Sequence, residues 1–339
     1  MNIPFPAAPV GLVPLALSDS RGRVKRKLRV SLTDRCNLRC LYCMPEDPQW
    51  LPKAQILRRE EFVHLVGLFV AELGIDELRL TGGEPLLRRD VVEVVRELDG
   101  LRRRGLARIA MTSNGVYLPR FAAALRSAGL DDLNVSLDAR RPETFRRLTG
   151  GGDVEPVLRG IDAARAAGLP VKINAVVIRG HNDTEVLPLA EWAFAEGLPL
   201  RFIEFMPLDG RGIWSQERVV PEAEIIGALS SQHSVEPLPR SDDPATYYRI
   251  DGRHRLGVIS TVSRPFCSSC NRLRLSSTGE LFSCLFSGSG ADLKTPLRDG
   301  ADDAALLARI RRHVWHKEAG YALSPGYVER PITMHHLGG

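Results

Sequence analysis

The stretch LRVSLTDRCNLRCLYC, residues 28–43, places a short apolar run directly before three closely spaced cysteines. The apolar run predicts a β-strand, and the chain that follows alternates similar runs with amphipathic stretches of helical period. We predict strands at 28–32, 77–81, 108–113, 133–137, 171–178 and 200–206, and helices at 59–73, 90–104, 120–128, 155–167 and 185–196. Six strand–helix repeats indicate a parallel sheet with crossover helices.

This repeat is compatible with an open doubly wound sheet or with a complete or partial barrel. In either case the chemistry belongs at the carboxyl ends of the strands. Polar motifs follow the first four strands: the cysteines, then TGGEP at 81–85, TSNG at 112–115 and SLD at 136–138. The repeat stops near residue 210. We therefore predict an N-terminal arm at 1–27, a catalytic α/β unit at 28–210, and an extension at 211–339 packed against the mouth of that unit.

Composition narrows the class of protein. The 339 residues are 44% hydrophobic and carry a net charge of +5, which excludes a collagenous or wholly disordered chain and is too mild to suggest nucleic acid as a partner. No run reaches the roughly 18 apolar residues of a membrane span, and the N-terminus lacks the basic start of a secretory signal. The expectation is a cytoplasmic protein with a disordered or loosely docked arm.

The six cysteines form two trios: Cys36, Cys40 and Cys43, and Cys267, Cys270 and Cys284. Closely spaced thiolates bind soft metals and iron–sulfur clusters. A structural zinc site needs four ligands, whereas a four-iron cluster held by three cysteines leaves one iron open to another ligand. The arithmetic predicts two [4Fe-4S] clusters, each with a reactive iron. For the second trio, a zinc site completed by a histidine such as His254 stays open as an alternative.

The first trio has the spacing C-x3-C-x2-C, with Tyr42 before its last cysteine, and resembles the signature of the radical S-adenosylmethionine (SAM) superfamily. Gly82-Gly83-Glu84-Pro85 is similar to the glycine-rich SAM-binding segment of that superfamily. The resemblance implies that the open iron chelates SAM, and that an electron from the cluster cleaves SAM to a 5′-deoxyadenosyl radical. Glycines without Cβ let the backbone approach a ligand closely, although a tight turn alone would also require them.

The second trio, with the stretch CSSCNRLR at 267–274, resembles the auxiliary-cluster segment of the GTP 3′,8-cyclase family, and the terminal Gly338-Gly339 is similar to its double-glycine tail. The resemblance runs from about residue 28 to the end of the chain. It implies a partial (β/α)6 TIM-type barrel whose mouth is closed by the C-terminal extension. It also implies radical abstraction of the ribose 3′ hydrogen of GTP and attack on guanine C8, the first step of molybdenum-cofactor biosynthesis.

Residue by residue, the resemblance assigns SAM contacts to Tyr42, Gly83, Ser136 and Met206, GTP contacts to Arg29, Arg79, Thr112, Lys172, Arg272, Leu273 and Arg274, and catalytic roles to Arg272, Arg274, Gly338 and Gly339. Independently of it, five of these residues are cations, as a triphosphate demands. Three of the cations lie inside apolar strands, where an unpaired charge would cost several kcal/mol.

The resemblance also implies partners: GTP ligated by the second cluster, a low-potential flavodoxin- or ferredoxin-type electron donor, a downstream cyclic pyranopterin monophosphate synthase, and a second copy in a homodimer. Neither nucleic acid nor a membrane is expected. One competing prediction is a radical SAM enzyme that modifies a peptide, which would not need five converging cations. The other is a zinc-binding interaction module, which would be colourless.

Overall fold

The computed structural model describes residues 16–240, 243–320 and 333–338. The strands are β1 (Lys27–Ser31), β2 (Glu77–Thr81), β3 (Arg108–Ser113), β4 (Asp132–Ser136), β5 (Val171–Val177), β6 (Leu200–Glu204), β7 (Val235–Pro237), β8 (Thr246–Ile250), β9 (His254–Ile259), β10 (Arg272–Leu275), β11 (Glu280–Phe282) and β12 (Ala291–Asp292). The helices are α1 (Arg59–Ala71), α2 (Val91–Asp99), α3 (Leu118–Ser127), α4 (Pro142–Leu148), α5 (Glu155–Ala166), α6 (Val186–Ala195), α7 (Glu222–Ser230), α8 (Lys294–Arg298), α9 (Asp303–Trp315) and α10 (Met334–Leu337).

These strands form a single twelve-stranded sheet in the order β12-β11-β10-β1-β2-β3-β4-β5-β6-β9-β8-β7. Neighbours from β10 through β6 to β9 are parallel, and the outer strands at both ends are antiparallel. The edges do not pair with each other, so the predicted partial barrel is confirmed. The chain after residue 210 supplies strands to both edges. The boundary at residue 210 stays a prediction.

Alternation along the strands decides what each face presents. In β1, Leu28 and Val30 are fully buried in the hydrophobic core, while Arg29 between them projects from the opposite face. β5 alternates in the same way, with Lys172 and Asn174 between buried apolar residues. The apolar face packs against the helices in one large core, and the other face lines the interior of the barrel.

The six predicted strands agree with β1–β6 to within two residues at either end. The predicted helix at 90–104 is instead α2 followed by a 3-10 helix that begins at Gly100. Sequence periodicity misses α4, because a helix of seven residues with two buried apolar side chains, Phe145 and Leu148, is too short to show a repeating pattern.

The arm is docked rather than loose over its described part, which corrects the expectation above. Leu17 is 2% exposed and Lys25 is fully buried, and Ser18 pairs with Val24 in an isolated β-bridge. Leu17 adds to the hydrophobic core, and charged neighbours anchor the rest. Residues 1–15 lie outside the described residues. In the described parts of the chain, no helix combines the length and hydropathy needed to cross a membrane.

Candidate active site

A cavity of about 310 Å³ runs along the inner face of the barrel, from the first residues of the strands to their carboxyl ends, and both cysteine trios line it. The predicted SAM and GTP residues that line it with them are Arg29, Tyr42, Arg79, Gly83, Thr112, Ser136, Lys172, Met206, Arg272 and Arg274. The Leu273 side chain is fully buried in the hydrophobic core on the other face of β10, so it is not among them. Gly339 lies outside the described residues.

The first trio lies on the loop that leaves β1, with its thiols partly buried. Burial raises the pKa of Cys36 to about 11 and the pKa values of Cys40 and Cys43 further. The backbone N–H of Leu38 donates to Cys36 Sγ at 3.4 Å, a contact of the kind that supports thiolate ligands. Three sheltered thiols on one loop at the mouth of a cavity fit an iron–sulfur cluster, whose iron would displace their protons.

The glycines after β2 pack against this cysteine loop. A Cβ at Gly82 would lie 2.5 Å from the Thr33 carbonyl oxygen, and one at Gly83 would lie 2.5 Å from the Asp34 carbonyl oxygen and clash with that of Arg35. The Gly83 N–H donates to the Thr33 carbonyl at 2.8 Å. The immediate reason for glycine is therefore the close approach of two loops, which brings Gly83 to the cavity beside the first trio.

Glu84 connects the same turn to the end of β3. It is fully buried and accepts hydrogen bonds from the Ser113 hydroxyl at 2.9 Å and the Asn114 N–H at 2.7 Å. The Asn114 amide in turn lies 3.8 Å from Cys36 Sγ. Burial raises the pKa of Glu84 to about 7, although these hydrogen bonds oppose the shift. The turn thus positions the cysteine loop through a chain of polar contacts.

Tyr42 is oriented by a carboxylate that the sequence analysis did not select. The Tyr42 hydroxyl donates to Asp138 Oδ2 at 2.6 Å, and the Val176 N–H donates to Asp138 Oδ1 at 2.8 Å. Asp138 is 3% exposed and lines the cavity just beyond Ser136. Its place in the SLD motif after β4 was the available signal.

Burial raises the pKa of Asp138 to about 6 from 3.8. Because the folded state then holds a proton that the unfolded chain releases, Asp138 favours folding below about pH 4, and this contribution is lost as pH rises through 6. Asparagine cannot ionise. Its single amide oxygen can still accept from the Val176 N–H, and its Nδ2 can donate to the Tyr42 hydroxyl, which reverses the direction of that hydrogen bond. We expect the unfolding free energy of the native protein, relative to Asp138→Asn, to fall by on the order of 3 kcal/mol between pH 4 and 7.

Thermal or urea unfolding of cluster-free protein across this range measures the difference. The control is Asp162→Asn, which makes the same substitution at an exposed position on α5. Parallel pH profiles for native protein and Asp138→Asn would contradict the assignment.

The cations form a belt across neighbouring strands, and the sheet register creates it. Arg29 of β1 pairs directly with Arg79 of β2 on one side and Arg274 of β10 on the other. Like charges placed opposite each other in a sheet repel. Burial together with Arg274, Arg272 and Arg79 lowers the pKa of Arg29 well below its usual range, and burial lowers the pKa of Arg274 to about 9 and that of Arg79 to about 10. Such a row is suited to a polyanion.

The belt continues across β4–β6 and includes a sixth cation that was not predicted. Arg201 is 9% exposed and donates from Nε to Asn174 Oδ1 at 3.0 Å. With the Asn134 amide oxygen turned toward the guanidinium groups, it accepts from Arg201 at 2.7 Å and from Arg79 at 3.0 Å. Burial and the charge of Arg201 lower the pKa of Lys172. Arg201 sits in an apolar strand, the same signal that selected Arg29.

The second trio lines the cavity at the amino end of β10, away from the first trio, which follows the carboxyl end of β1. Burial raises the pKa of Cys270, but the positive charges of Arg272 and Lys317 outweigh it and lower that pKa to about 6. This thiol is therefore inclined to be a thiolate, the form that binds metal. His254, considered above as a zinc ligand, stacks on Phe194 with ring centroids 4.6 Å apart and does not line the cavity. Within the described ranges, no three His, Cys, Asp or Glu side chains gather around one point as a single ion would require.

An apolar cluster separates the two trios. Leu208, Phe286 and Met334 form its core, and Met206, Cys43 and Cys284 pack against it. Met334 belongs to α10, so the end of the chain returns to the mouth. Beyond α10, the Gly338 carbonyl accepts a hydrogen bond from Arg274, and a Cβ at Gly338 would clash with Thr81. Gly338 therefore lies beside the cation belt.

Comparison with known proteins agrees with this geometry. Residues 30–193 match the model of the Radical SAM superfamily, and residues 198–323 match the model named Molybdenum Cofactor Synthesis C. The fold and the cysteine loop thus define a radical SAM protein. The GTP 3′,8-cyclase of Streptomyces coelicolor is 44% identical over 330 residues, which cover 95% of this chain and 96% of the relative; that of Paenarthrobacter nicotinovorans is 42% identical over 99% of this chain and 100% of the relative. The chain belongs to the GTP 3′,8-cyclase family.

Solved structures share the fold at low identity. Streptococcus suis SuiB bound to its precursor peptide SuiA matches with a TM-score of 0.61 and 12% identity, over 86% of this chain and 68% of that chain. SuiB bound to S-adenosylmethionine matches with a TM-score of 0.56 and 13% identity, over 86% of this chain and 69% of that chain. At this identity the similarity concerns the architecture alone.

Proposed function

We propose that this chain is a GTP 3′,8-cyclase, which converts GTP to (8S)-3′,8-cyclo-7,8-dihydroguanosine 5′-triphosphate in the first step of molybdenum-cofactor biosynthesis. The observation that carries the proposal is the row Arg274–Arg29–Arg79, which faces a cavity lined by both cysteine trios. A triphosphate needs such a row, and a peptide substrate does not. The names of the relatives point to the same substrate and reaction.

The first trio would hold the cluster that SAM joins, with Tyr42, Gly83, Ser136 and Met206 as the SAM contacts. When bound, this cluster and SAM supply the 5′-deoxyadenosyl radical that removes the ribose 3′ hydrogen. Asp138 holds Tyr42 in place, and the Gly83 turn fixes the cysteine loop. These contacts lie at or just beyond the ends of β1, β2, β4 and β6, so the chain would orient SAM from four strand ends.

The cation belt would bind the triphosphate of GTP. Arg29, Arg79 and Arg274 would reach it from three adjacent strands. Lys172 of β5 and Arg201 of β6 would reach it from farther along the same face of the sheet. Arginine forks bind phosphate oxygens through two parallel hydrogen bonds, and lysine adds a point charge. Binding of the anion relieves the mutual repulsion of these cations, which is one source of its affinity.

The second trio would hold a second [4Fe-4S] cluster, with guanine at its open iron. Arg272 and Thr112 line the cavity with it. The apolar cluster of Leu208, Phe286 and Met334 keeps water away from the space between the trios. Exclusion of water protects a carbon radical from side reactions.

An anaerobic assay tests the proposal. Protein reconstituted with iron and sulfide is given SAM and a strong reductant, and 5′-deoxyadenosine is measured with GTP, with ATP and with neither. We expect formation to rise with GTP alone and a cyclised guanosine product to accompany it. Equal SAM cleavage in all three reactions would overturn the substrate and favour a peptide-modifying enzyme. A colourless zinc protein would overturn the enzyme class.

The double-glycine tail is proposed to assist catalysis. The Gly338 carbonyl accepts from Arg274, so removal of residues 338–339 would take away this acceptor beside the belt. The His336 carbonyl, which accepts from Ser31 at 3.2 Å, would stay. We expect the deletion to abolish the cyclised product while iron content and SAM binding stay native. Full turnover by the truncated protein would end this role.

The remaining partners are proposed from the reaction. Reduction of the first cluster requires a low-potential donor of the flavodoxin or ferredoxin type, and the unstable product requires a cyclic pyranopterin monophosphate synthase downstream. We also propose a homodimer, as the family resemblance implies. A cytoplasmic location is proposed because all six cysteines are free thiols, which a reducing compartment favours.

A further inference from the structure

A fully buried lysine lies behind the second cysteine trio. Lys25, from the docked part of the arm, is 0% exposed, and its Nζ donates to Asp19 Oδ2 and to the Cys270 carbonyl oxygen, both at 2.8 Å. A buried ammonium is costly unless it is paired and hydrogen-bonded. The ion pair with Asp19 and the hydrogen bond to the Cys270 carbonyl offset this cost, and they hold a positive charge next to Cys270.

A second buried lysine faces the sulfur of the same cysteine. Lys317 is 4% exposed, and its Nζ lies 3.5 Å from Cys270 Sγ, within hydrogen-bond distance of the Ser283 carbonyl and 3.4 Å from the Arg272 carbonyl. Among the described residues, none of its hydrogen-bond partners is a carboxylate. Of these partners, only the Cys270 sulfur can carry a negative charge, as a thiolate.

Arg23 hydrogen-bonds both the loop of the second trio and the segment that follows Lys317. Its guanidinium donates to the Cys267 carbonyl at 2.9 Å and to the carbonyls of Glu318 and Ala319 at 2.7 and 2.8 Å. One side chain therefore joins the loop that carries the second trio to the segment that carries Lys317. The arm acts as a clamp on this corner of the cavity.

The charges in this corner do not cancel. Asp19 accepts from both Arg23 Nε at 2.6 Å and Lys25 Nζ. Although burial opposes ionisation, these partners lower the pKa of Asp19 to about 2. One carboxylate therefore stands against four cations: Arg23, Lys25, Lys317 and Arg272, whose Nη2 lies 3.9 Å from Cys270 Sγ. The excess positive charge suits an anionic group, and a cluster held by three thiolates is such a group.

The first trio has different surroundings. The hydrogen bonds to Cys36 Sγ come from neutral groups, the Leu38 N–H at 3.4 Å and the Asn114 amide at 3.8 Å. The Arg39 guanidinium on the same loop donates to the Cys36 carbonyl at 2.9 Å and not to a sulfur. Net charge and hydrogen bonds to sulfur are among the factors that set the reduction potential of an iron–sulfur cluster. The two trios are therefore built into unequal electrostatic environments.

We propose that Asp19, Arg23, Lys25 and Lys317 form a charged cage around the second trio, in which Lys317 hydrogen-bonds the Cys270 thiolate and raises the reduction potential of the second cluster. The inference rests on the second cluster of the proposed function. Lys317 is a positioning residue, since it acts through Cys270 and not on the substrate. In this arrangement the arm belongs to the redox apparatus of the protein.

The test isolates the second cluster in the full chain. Cys36→Ala, Cys40→Ala and Cys43→Ala together remove the first site, and the background is reconstituted anaerobically with iron and sulfide. Lys317→Met, Lys317→Arg and Lys25→Met are each added to it, with Lys53→Met as the matched control because Lys53 is exposed. Iron and sulfide per chain are measured, and the midpoint potential is followed by electron paramagnetic resonance.

We expect Lys317→Met to shift the midpoint to a more negative potential, because the reduced cluster loses a neighbouring positive charge. Lys317→Arg should recover most of the shift, and Lys53→Met should cause none. Where Lys317→Met takes up too little iron for a titration, Lys25→Met supplies the measurement and should shift in the same direction. Native midpoints in both methionine variants would overturn the cage.

The outcomes separate this inference from the proposal beneath it. If the background without the first trio takes up no iron, the proposal of a second cluster is wrong, and the proposal of a charged cage around it is wrong as well. A background that takes up iron but shows midpoints insensitive to the lysines would leave the second cluster in place and overturn the cage alone.

Discussion

Substitution of Arg29 by methionine is expected to weaken GTP binding about a hundredfold and, at the same time, to stabilise the ligand-free protein. Arg29 lies between Arg79 and Arg274 in register, so its charge is repelled from both sides until an anion arrives. Loss of a charge-assisted hydrogen bond to phosphate costs about 3 kcal/mol, or about a hundredfold in affinity. Removal of a buried, repelled charge should raise the free energy of unfolding by about 1–4 kcal/mol.

Anaerobic binding of GTP and thermal unfolding of the ligand-free protein measure the two effects. Arg103→Met is the control, since Arg103 is exposed on the outer surface and should change neither quantity. SAM cleavage that no longer responds to GTP would accompany the loss. An Arg29→Met protein that binds GTP normally, or that is less stable than the native chain, would contradict the role given to the belt.

Substitution of Gly83 by alanine is expected to disrupt the first cysteine trio through a single added methyl group. The added Cβ would lie 2.5 Å from the Asp34 carbonyl oxygen and would clash with that of Arg35. Both obstacles are backbone atoms, so no side chain can rotate away. The loops must separate at a cost of about 1–3 kcal/mol, and the first trio would lose its support. We expect loss of iron from the first site and of SAM cleavage.

Gly100→Ala provides a matched control for this substitution. A Cβ at Gly100 meets nothing within 4 Å, and its φ of −59° is ordinary for alanine. Alanine there should be neutral or stabilise the protein by up to about 1 kcal/mol. Native iron content and activity in Gly83→Ala would show that the two loops are not required to touch.

The sequence predicts the central strands well because each is a short apolar run between helical stretches. It also selects Arg29, Arg79 and Lys172, since a charge inside an apolar strand is costly to bury unless a partner or ligand pairs with it. The same rule applies to Arg201 in LRFIE, yet that residue was missed because the family resemblance did not name it. Asn134 was missed for a different reason, since a neutral amide inside a strand gives no comparable signal.

What the sequence could not predict is mostly long-range. β10 pairs with β1, and the four-residue run of β10 gives no local sign of its partner. The buried network of Asp19, Arg23 and Lys25 has no periodicity, so the arm looked unstructured. The glycines after β2 were selected for SAM binding, which stays a prediction; the contact in the structure that requires glycine is the close packing of two loops.

The adjacency of β1 and β10 has a consequence for synthesis of the protein. β1 leaves the ribosome early, whereas its parallel neighbour β10 follows only after most of the chain has been translated. Until then the nascent barrel presents an unpaired strand edge, beside a loop of three reactive thiols, to its surroundings. Non-local pairing of this kind slows folding. We therefore expect the nascent chain to need protection by a chaperone until translation ends.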